Sequence, residues 1–269
     1  MDSLQGPYSV VRSLRRFSRR LGQNFLRDPK VASRIVDSAQ LDSGDVVLEP
    51  GAGTGALTSL IRKKAARVIA VEKDPKLAAI LREIIGNNPG VTIIEGDFLR
   101  VSLPPFNRVL GTPPYYLSSK LVLFLAKTRF EKAHLVFQKE FGERLSSPPG
   151  TGSYGRLSVM TQRSFEVKPV FEIPRTAFDP RPKVDSILIE LEPKPGSGGE
   201  SAIFEETVRG LFNQRRRLVK SSLLHYLMLK LGESEARSVL QEIALPEGRV
   251  YQLTVAQFEA ISEQLANFL

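Results

Sequence analysis

A short loop in the middle of the chain carries residues that can hold and activate an amine. It reads Gly-Thr-Pro-Pro-Tyr-Tyr over 111–116, between a run that predicts a strand and one that predicts a helix. Pro113 and Pro114 fix φ and lack an N–H, so the loop is stiff and its carbonyl groups are free to accept hydrogen bonds. The Thr112 hydroxyl and the Pro113 carbonyl can accept from an amine, while the Tyr115 ring holds a flat substrate in plane. Such a loop suits the exocyclic amine of a nucleic-acid base.

Three predicted strand ends carry groups that suit a nucleoside. Glu-Pro-Gly-Ala-Gly-Thr-Gly over 49–55 is a glycine-rich turn that lacks both the Gly-Lys-Ser/Thr of a phosphate loop and the G-x-G-x-x-G of a dinucleotide site. Glu72 ends the second strand, where a carboxylate can accept both ribose hydroxyls, and Asp97 and Phe98 follow the third, where they can bind adenine. Each acid alone is more typical of a helix cap or a solvated side chain. Together they predict an adenosine site without phosphate chemistry, which favours S-adenosylmethionine.

The order of predicted elements indicates how these groups are positioned. From residue 45 to the strand-like run over 186–193, short β-rich segments alternate with helical ones. This alternation predicts an α/β fold with a parallel sheet, whose ligands lie beyond the carboxyl ends of the strands. The remainder predicts only helices, over 204–230, 234–243 and 254–269. We therefore expect a basic arm (1–20), a catalytic domain (21–194), a linker rich in Pro, Gly and Ser (195–201) and a helical RNA-binding domain (202–269).

The charge distribution favours nucleic acid as a partner. Net charge is +9, the isoelectric point is about 9.8, and the basic residues are clustered. Clustered arginine suits phosphate, because the planar guanidinium binds it bidentately and stays charged. The candidate RNA-binding residues are Arg15, Arg16, Arg19, Arg20, Arg215, Arg216, Arg217 and Lys220. A solvated arm and a charged helix face are the alternatives, and on a helix only two of the three consecutive arginines would reach phosphate.

Composition excludes several other classes of protein. Without cysteine there is no disulfide, thiolate zinc site or cysteine nucleophile, and this fits a cytoplasmic location. His134 and His225 lack metal-ligand spacing, so we expect no metal. The apolar run over 121–126 is too short to cross a membrane. The Arg- and Ser-rich N-terminus is also compatible with a mitochondrial transit peptide, although the sequence that follows it has functional character.

From Arg16 to about Leu224 the sequence resembles one family, the small-subunit ribosomal RNA adenine N6,N6-dimethyltransferases of the kasugamycin-resistance type. Several of the similar motifs are long and distinctive. In chain order they are LGQNFL (21–26), EPGAGTGALT (49–58), VEKD (71–74), EGDFL (95–99), VFQKEFGERLSS (136–147), SYGRLSV (153–159), IPRTAFDPRPKVDS (173–186) and LFNQRRRLVKSSL (211–223).

The resemblance implies a Rossmann-like S-adenosylmethionine-dependent methyltransferase sheet with a small all-helical C-terminal domain. The implied cofactor-binding residues are Asn24, Leu26, Gly51, Gly53, Glu72, Lys73, Asp97, Phe98 and Thr112. The implied catalytic residues are Thr112, Pro113, Tyr115 and Phe178, with Tyr115 stacking on the target base. Phe178 is either the opposite jaw of a clamp around that base or a core residue. Tyr116 is either a second stacking residue or part of a cofactor lid.

The implied substrate is a pair of adjacent adenines in a hairpin loop near the 3′ end of small-subunit rRNA. Each adenine receives two methyl groups, and the family also acts in maturation of the subunit. The expected partner is therefore small-subunit rRNA within an immature small ribosomal subunit, with no membrane and with the protein as a monomer. Unpaired loop bases suit this chemistry because they can be splayed out onto aromatic side chains.

One residue departs from the family pattern, which reads Asn-Leu-Pro-Tyr or Asn-Ile-Pro-Tyr where this chain has Thr112-Pro113-Pro114-Tyr115. Threonine offers a hydroxyl acceptor on a shorter arm than the asparagine carbonyl. Either methylation persists through this hydroxyl or a bridging water, or the protein is an rRNA-binding assembly factor with weak or no methylation. Two further competitors are a mitochondrial-type transcription factor and the family that methylates large-subunit rRNA. The motif over 176–186 and the C-terminal helices favour the small-subunit family over the latter.

Overall fold

The computed structural model describes residues 24–196 and 202–269. The predicted basic arm, with Arg15, Arg16, Arg19 and Arg20, and most of the predicted linker lie outside the described residues. The strands of the described part are β1 (Phe25–Leu26), β2 (Val46–Pro50), β3 (Arg67–Glu72), β4 (Val91–Glu95), β5 (Arg108–Gly111), β6 (Lys132–Gln138), β7 (Phe165–Ile173), β8 (Phe178–Asp179) and β9 (Ser186–Pro193).

The α-helices of the described residues fall into two groups along the chain. Those before residue 165 are α1 (Pro29–Ser38), α2 (Thr58–Ile61), α3 (Pro75–Ile85), α4 (Ser118–Leu125), α5 (Lys139–Ser146) and α6 (Arg156–Ser164). Those after the linker are α7 (Ala202–Phe212), α8 (Val219–Leu231), α9 (Glu233–Glu242) and α10 (Val255–Leu265). Within the described residues, no helix is long and apolar enough to cross a membrane.

A seven-stranded sheet in the order β4-β3-β2-β5-β6-β9-β7 confirms the predicted α/β class. The first five strands in this order are mutually parallel, and β9 runs antiparallel to β6. Val47, Leu48, Val68, Ile69 and Ala70 are fully buried, as expected for parallel strands that are covered on both faces. The registers place Glu49 beside Ala70 and Glu72 beside Glu95, so the polar strand ends meet at one edge.

Strand β7 has no counterpart among the predicted elements. Its apolar residues alternate over 165–173, which is the pattern of a strand, but Pro169 argues against one because it cannot donate to a ladder. The structure places β7 at the edge of the sheet. There a proline is tolerated, because its nitrogen can face away from the neighbouring strand.

The chain divides into two compact units, and their limits differ from the predicted domains. Of the described residues, the first comprises 24–142 and 166–193, and the second comprises 143–165, 194–196 and 202–269. Residues 143–165 therefore belong with the C-terminal helices, whereas we predicted them within the catalytic domain. Buried Tyr154 gives a physical reason, because its hydroxyl donates to the Leu253 carbonyl at 2.8 Å and its ring lies 6.2 Å from Phe212.

The predicted long helix over 204–230 is two helices, α7 and α8, separated by a turn over 213–218. The turn is bonded along its backbone to a later segment: Val250 N–H donates to the Arg217 carbonyl and Tyr251 N–H to the Arg215 carbonyl, each at 3.1 Å. Periodicity alone does not detect this break, because these partners lie more than thirty residues away. The placement of three consecutive arginines around a single helix was therefore wrong.

Candidate active site

The glycine-rich turn after β2 is held by a buried carboxylate from the neighbouring strand. Gly51 and Gly53 have φ values of 75° and 58°, a region in which glycine avoids the steric cost of a Cβ. Gly53 N–H donates to Glu72 Oε2 and Asp74 N–H donates to Glu72 Oε1, both at 2.8 Å. Burial raises the pKa of Glu72, and these backbone donors oppose that rise. The Lys73 N–H is a third backbone donor that opposes the rise. A carboxylate has about four lone-pair sites, so Glu72 can accept one further hydrogen bond.

A second buried carboxyl group, Glu49, lies at the end of β2. It is 2% exposed and accepts from the Thr58 hydroxyl at 2.6 Å. Burial raises its pKa to about 8, and the nearby charge of Glu72 adds to the rise against the opposing hydrogen bonds from Thr58. Glu49 and Glu72 both line the same cavity. Two carboxyl groups in apolar surroundings favour a ligand that brings positive charge.

A cavity of about 320 Å³ lies beyond the ends of β2, β3 and β4. Its lining includes Glu72, Lys73, Asp97 and Phe98. Lys73 Nζ lies 3.1 Å from Asp97 Oδ2, and Leu99 N–H donates to Asp97 Oδ1 at 3.1 Å. Partial burial opposes ionisation of Asp97, but these donors outweigh it and lower its pKa. The cavity therefore combines the aromatic ring of Phe98 with two carboxylate acceptors, Glu72 at the end of β3 and Asp97 just after β4.

The loop over 112–115 comes directly after β5 and passes close to the glycine-rich turn. A Cβ on Gly51 would lie 3.1 Å from Pro114 Cδ, so a larger residue there would press the two segments apart. Thr112 and Pro113 line a small cavity of about 40 Å³, which adjoins the larger one through Gly51, Glu72 and Pro114. Among the described residues, the Thr112 hydroxyl has no hydrogen-bond partner. The loop thus presents a free acceptor beside the nucleoside-sized cavity.

Tyr115 also lines the small cavity, and its hydroxyl is 2.7 Å from Ser186 Oγ. Burial raises the pKa of the phenol. The neighbouring Tyr116 is 60% exposed and lines the larger cavity instead. The two tyrosines therefore lie on different cavities, and the ring of Tyr115 belongs to the one that contains Thr112.

A two-stranded sheet carries the remaining predicted residues to the small cavity. In the antiparallel pair of β1 and β8, Leu26 lies opposite Phe178, and Arg27 N–H donates to the Ala177 carbonyl at 2.8 Å. Asn24, Leu26 and Phe178 line the small cavity. Phe178 is 3% exposed and also packs in the core cluster. Phe178 is therefore a core residue that also lines the cavity, and its role as the opposite jaw of a clamp around the base stays a prediction.

The second unit carries the predicted arginine cluster on the turn over 213–218. The Arg215 guanidinium donates to the carbonyls of Thr151, Gly152 and Tyr154 at 3.3, 3.1 and 2.8 Å, so it holds this part of the unit together. Arg216, Arg217 and Lys220 are exposed. Arg249, which the sequence analysis missed, donates to the Arg216 carbonyl. Arg215, Arg216 and Arg249 line a cavity of about 400 Å³ with Tyr251.

Three residues of the first unit were also missed. Glu49 carried a signal, because an acid at the end of the apolar run Val-Val-Leu-Glu is a charge placed in a predicted buried strand. Thr58 and Ser186 carried none. Their roles come from hydrogen bonds to Glu49 and Tyr115, which are separated from them along the chain by nine and 71 residues.

The sheet order, the glycine-rich turn and the adjoining loop define the class as a Rossmann-like methyltransferase. The model of the family described as "Ribosomal RNA adenine dimethylase" matches residues 14–267. A Thermococcus onnurineus protein, "Probable ribosomal RNA small subunit methyltransferase A", is 43% identical over 249 residues, covering 91% of each chain.

Two solved structures are also similar over 90% of this chain. A dimethyladenosine transferase from Plasmodium falciparum has a TM-score of 0.80 and 26% identity, and 98% of it is covered. The 23S rRNA methyltransferase ErmE has a TM-score of 0.66 and 31% identity, with its whole length covered. The chain therefore belongs to the ribosomal RNA adenine dimethylase family, and is a methyltransferase by class. Its family and fold imply the use of S-adenosylmethionine.

Proposed function

We propose that the protein transfers methyl groups from S-adenosylmethionine to N6 of two adjacent adenines in the 3′-terminal hairpin of small-subunit rRNA, and acts in small-subunit biogenesis. The observation that carries the proposal is the junction of the two cavities, where Gly51, Glu72 and Pro114 line both. A nucleoside ligand on one side and a flat amine on the other would meet there. The names of the similar small-subunit enzymes support the choice of rRNA.

The residues around the larger cavity fit the methyl donor. Glu72 has an acceptor site left for a ribose hydroxyl, and Asp97 with Phe98 offers an acceptor and a ring to adenine. Lys73, which now pairs with Asp97, would shift when adenine binds. Asn24, Leu26 and Gly53 line the small cavity together with Glu49, where a cationic methionine end would be accepted. When bound, S-adenosylmethionine supplies an electrophilic methyl group on its sulfonium.

The loop residues act on the target amine. The adenine N6 lone pair is delocalised into the ring, so the amine is a weak nucleophile. Hydrogen bonds from its N–H groups to the Thr112 hydroxyl and the Pro113 carbonyl favour a lone pair that points at the methyl group. Tyr115 holds the base in plane by stacking, with Phe178 on the same cavity. No covalent enzyme intermediate is required.

The second unit supplies an RNA-binding surface in this proposal. Arg216, Arg217 and Lys220 are exposed and can neutralise phosphate groups, whereas Arg215 contributes by fixing the turn that carries them. Arg249 adds a further cation beside Arg216. Small-subunit rRNA in an immature small subunit, a monomeric enzyme and a cytoplasmic location remain predictions.

The test is methyl transfer from labelled S-adenosylmethionine to unmethylated small ribosomal subunits, with the modified bases mapped. We expect the native chain to methylate adenines in the 3′ hairpin. Thr112→Val keeps the side-chain shape but removes the acceptor, so it should lose on the order of a hundredfold in rate. Thr112→Asn restores the family residue and should match or exceed the native rate.

The departure at Thr112 favours one alternative, an rRNA-binding assembly factor with weak or no methylation. In that case the native chain would bind subunits and cofactor without turnover, and only Thr112→Asn would transfer methyl groups. Equal native and Thr112→Val rates would show that the hydroxyl takes no part. Methylation mapped to large-subunit rRNA would overturn the substrate assignment.

A further inference from the structure

The contact between Tyr115 and Ser186 joins the loop after β5 to a strand far along the chain. The two oxygens are 2.7 Å apart, and either hydroxyl can be the donor. Ser186 is fully buried at the first position of β9, while Tyr115 begins the 3-10 turn Tyr115–Leu117. A buried hydroxyl pair of this length is a well-formed hydrogen bond.

Ser186 is itself firmly held on the sheet. It lies opposite Gln138 in the antiparallel pair of β6 and β9. Its neighbour Asp185 accepts from Lys139 N–H through the carbonyl and from Arg175 N–H through a carboxylate oxygen, both at 2.9 Å. The serine hydroxyl is therefore a fixed point, whereas Tyr115 stands on a loop.

We propose that Ser186 is a positioning residue that holds the Tyr115 ring in the orientation in which it stacks on the target adenine. The inference rests on the proposed function for the identity of the base. A tyrosine side chain is attached to the backbone at Cβ and is free at its para oxygen. Fixing that oxygen on the sheet restrains rotation about χ1, so the ring is held in place on the cavity that contains Thr112.

The same contact indicates that Tyr115 acts through its aromatic ring and not through its hydroxyl. The hydroxyl is engaged by Ser186, and burial raises the pKa of the phenol, which keeps it neutral at physiological pH. Neither feature suits a general base for the adenine amine. Removing the hydroxyl should therefore cost only orientation, while removing the ring should abolish stacking.

The decisive experiment combines methyl-transfer kinetics with NMR of the tyrosine rings. The variants are Ser186→Ala, Tyr115→Phe, their double variant and Tyr115→Ala. Tyr226→Phe is the matched control, since it removes the same hydroxyl from a buried ring of the second unit that lines neither cavity. Circular dichroism and melting temperature confirm that each variant is folded. The methyl-transfer rate on small ribosomal subunits and the KM for S-adenosylmethionine are measured for each variant.

We expect Ser186→Ala and Tyr115→Phe each to lower kcat by about fivefold, the effect of one neutral hydrogen bond. The double variant should be no worse than either, the KM for S-adenosylmethionine should stay unchanged, and Tyr115→Ala should lose at least a hundredfold. In protein with 13C-labelled tyrosine rings, Ser186→Ala should convert the Tyr115 signal from that of a restrained ring to that of a mobile one. Tyr226→Phe should leave both readouts unchanged.

Two results would overturn the inference: additive losses in the double variant, or a Tyr115 ring signal that does not respond to Ser186→Ala. A Tyr115→Phe loss as large as that of Tyr115→Ala would assign a chemical role to the hydroxyl and also contradict it. If the native chain transfers no methyl group, the proposed function fails. The NMR comparison then decides by itself whether Ser186 restrains the ring.

Discussion

Glu49 shows how one residue can link the small cavity to the pH dependence of stability. Its carboxyl group is buried beside Thr58 and near Glu72, and the pKa is raised to about 8 from an ordinary value of 4.5. Between these two pH values the folded protein keeps a proton on Glu49 that the unfolded chain has released. The free energy of unfolding therefore falls as pH rises through this window. Glu72 contributes with the same sign.

We predict that Glu49→Gln removes this part of the pH dependence. Between pH 5 and 8, the free energy of unfolding of the native protein without cofactor should fall, relative to that of the variant, by up to about 1.4 kcal/mol per pH unit. Denaturant unfolding of both proteins across this pH range gives the difference between their free energies of unfolding. The contributions of groups that both proteins share, such as His134, cancel in this difference. A constant difference between native and Glu49→Gln stability would show that Glu49 ionises normally.

The same residue should make cofactor binding depend on pH. A cation bound beside Glu49 favours the ionised carboxylate, so binding releases a proton. We predict that the affinity for S-adenosylmethionine rises from pH 6 to 8, by up to about tenfold per pH unit. The affinity for S-adenosylhomocysteine, whose sulfur is uncharged, should rise less. Calorimetric titration in buffers of different ionisation enthalpy measures the proton released. Glu49→Gln should release none from this site.

At the scale of elements, the turn between α7 and α8 depends on Arg215. Three backbone carbonyls accept from its guanidinium, and the guanidinium carbon lies 5.5 Å from the centroid of the Tyr251 ring. These hydrogen bonds of the Arg215 guanidinium hold the turn over 213–218 to the loop over 151–154. The exposed Arg217 on the same turn has no such bonds from its side chain among the described residues.

We predict that Arg215→Ala lowers the free energy of unfolding by roughly 2–3 kcal/mol, because charged hydrogen bonds are lost and part-buried carbonyls are left unpaired. Arg217→Ala is the matched control and should change it by less than about 0.5 kcal/mol. Chemical denaturation of the two variants is the measurement. Similar stabilities would mean that water replaces the Arg215 guanidinium at no cost.

At the scale of the whole molecule, the two candidate sites fall in different compact units. The cavities that carry Glu72 and Thr112 are lined by residues of the first unit, and the exposed cations Arg216, Arg217 and Lys220 belong to the second. Cofactor binding and phosphate binding should therefore be separable by mutation.

We predict that replacing Arg216, Arg217 and Lys220 together by alanine weakens rRNA binding and leaves cofactor affinity unchanged. Fewer counterions are released, so the slope of log K against log salt should become shallower by about 2. Binding to small subunits over a salt series measures it. The control variant has alanine at Lys30, Lys63 and Arg67. It removes the same number of positive charges from exposed positions of the first unit. An equal loss in this control would indicate a general charge effect.

Local pattern in the sequence was enough for the main architecture and for much of the candidate site. Apolar runs alternating with helical ones predicted the sheet, because burial on both faces requires such runs. Glu72, Asp97 and Thr112 were predicted to lie together because each follows or ends a strand of a parallel sheet, and the structure places them on the two adjoining cavities. Asp74 is the N-cap of α3, a local signal of the same kind, with its side chain accepting from Lys76 N–H.

Contacts between distant segments decided the rest. The break at 213–218, the grouping of 143–165 with the C-terminal helices and the edge position of β7 all depend on partners that no local window contains. The same holds for the environment of each side chain: burial raises the pKa of Glu49, and the Ser186 hydroxyl lies 2.7 Å from the Tyr115 hydroxyl. Residue types and spacing determine which groups a chain offers, whereas desolvation and orientation exist only once the chain has folded.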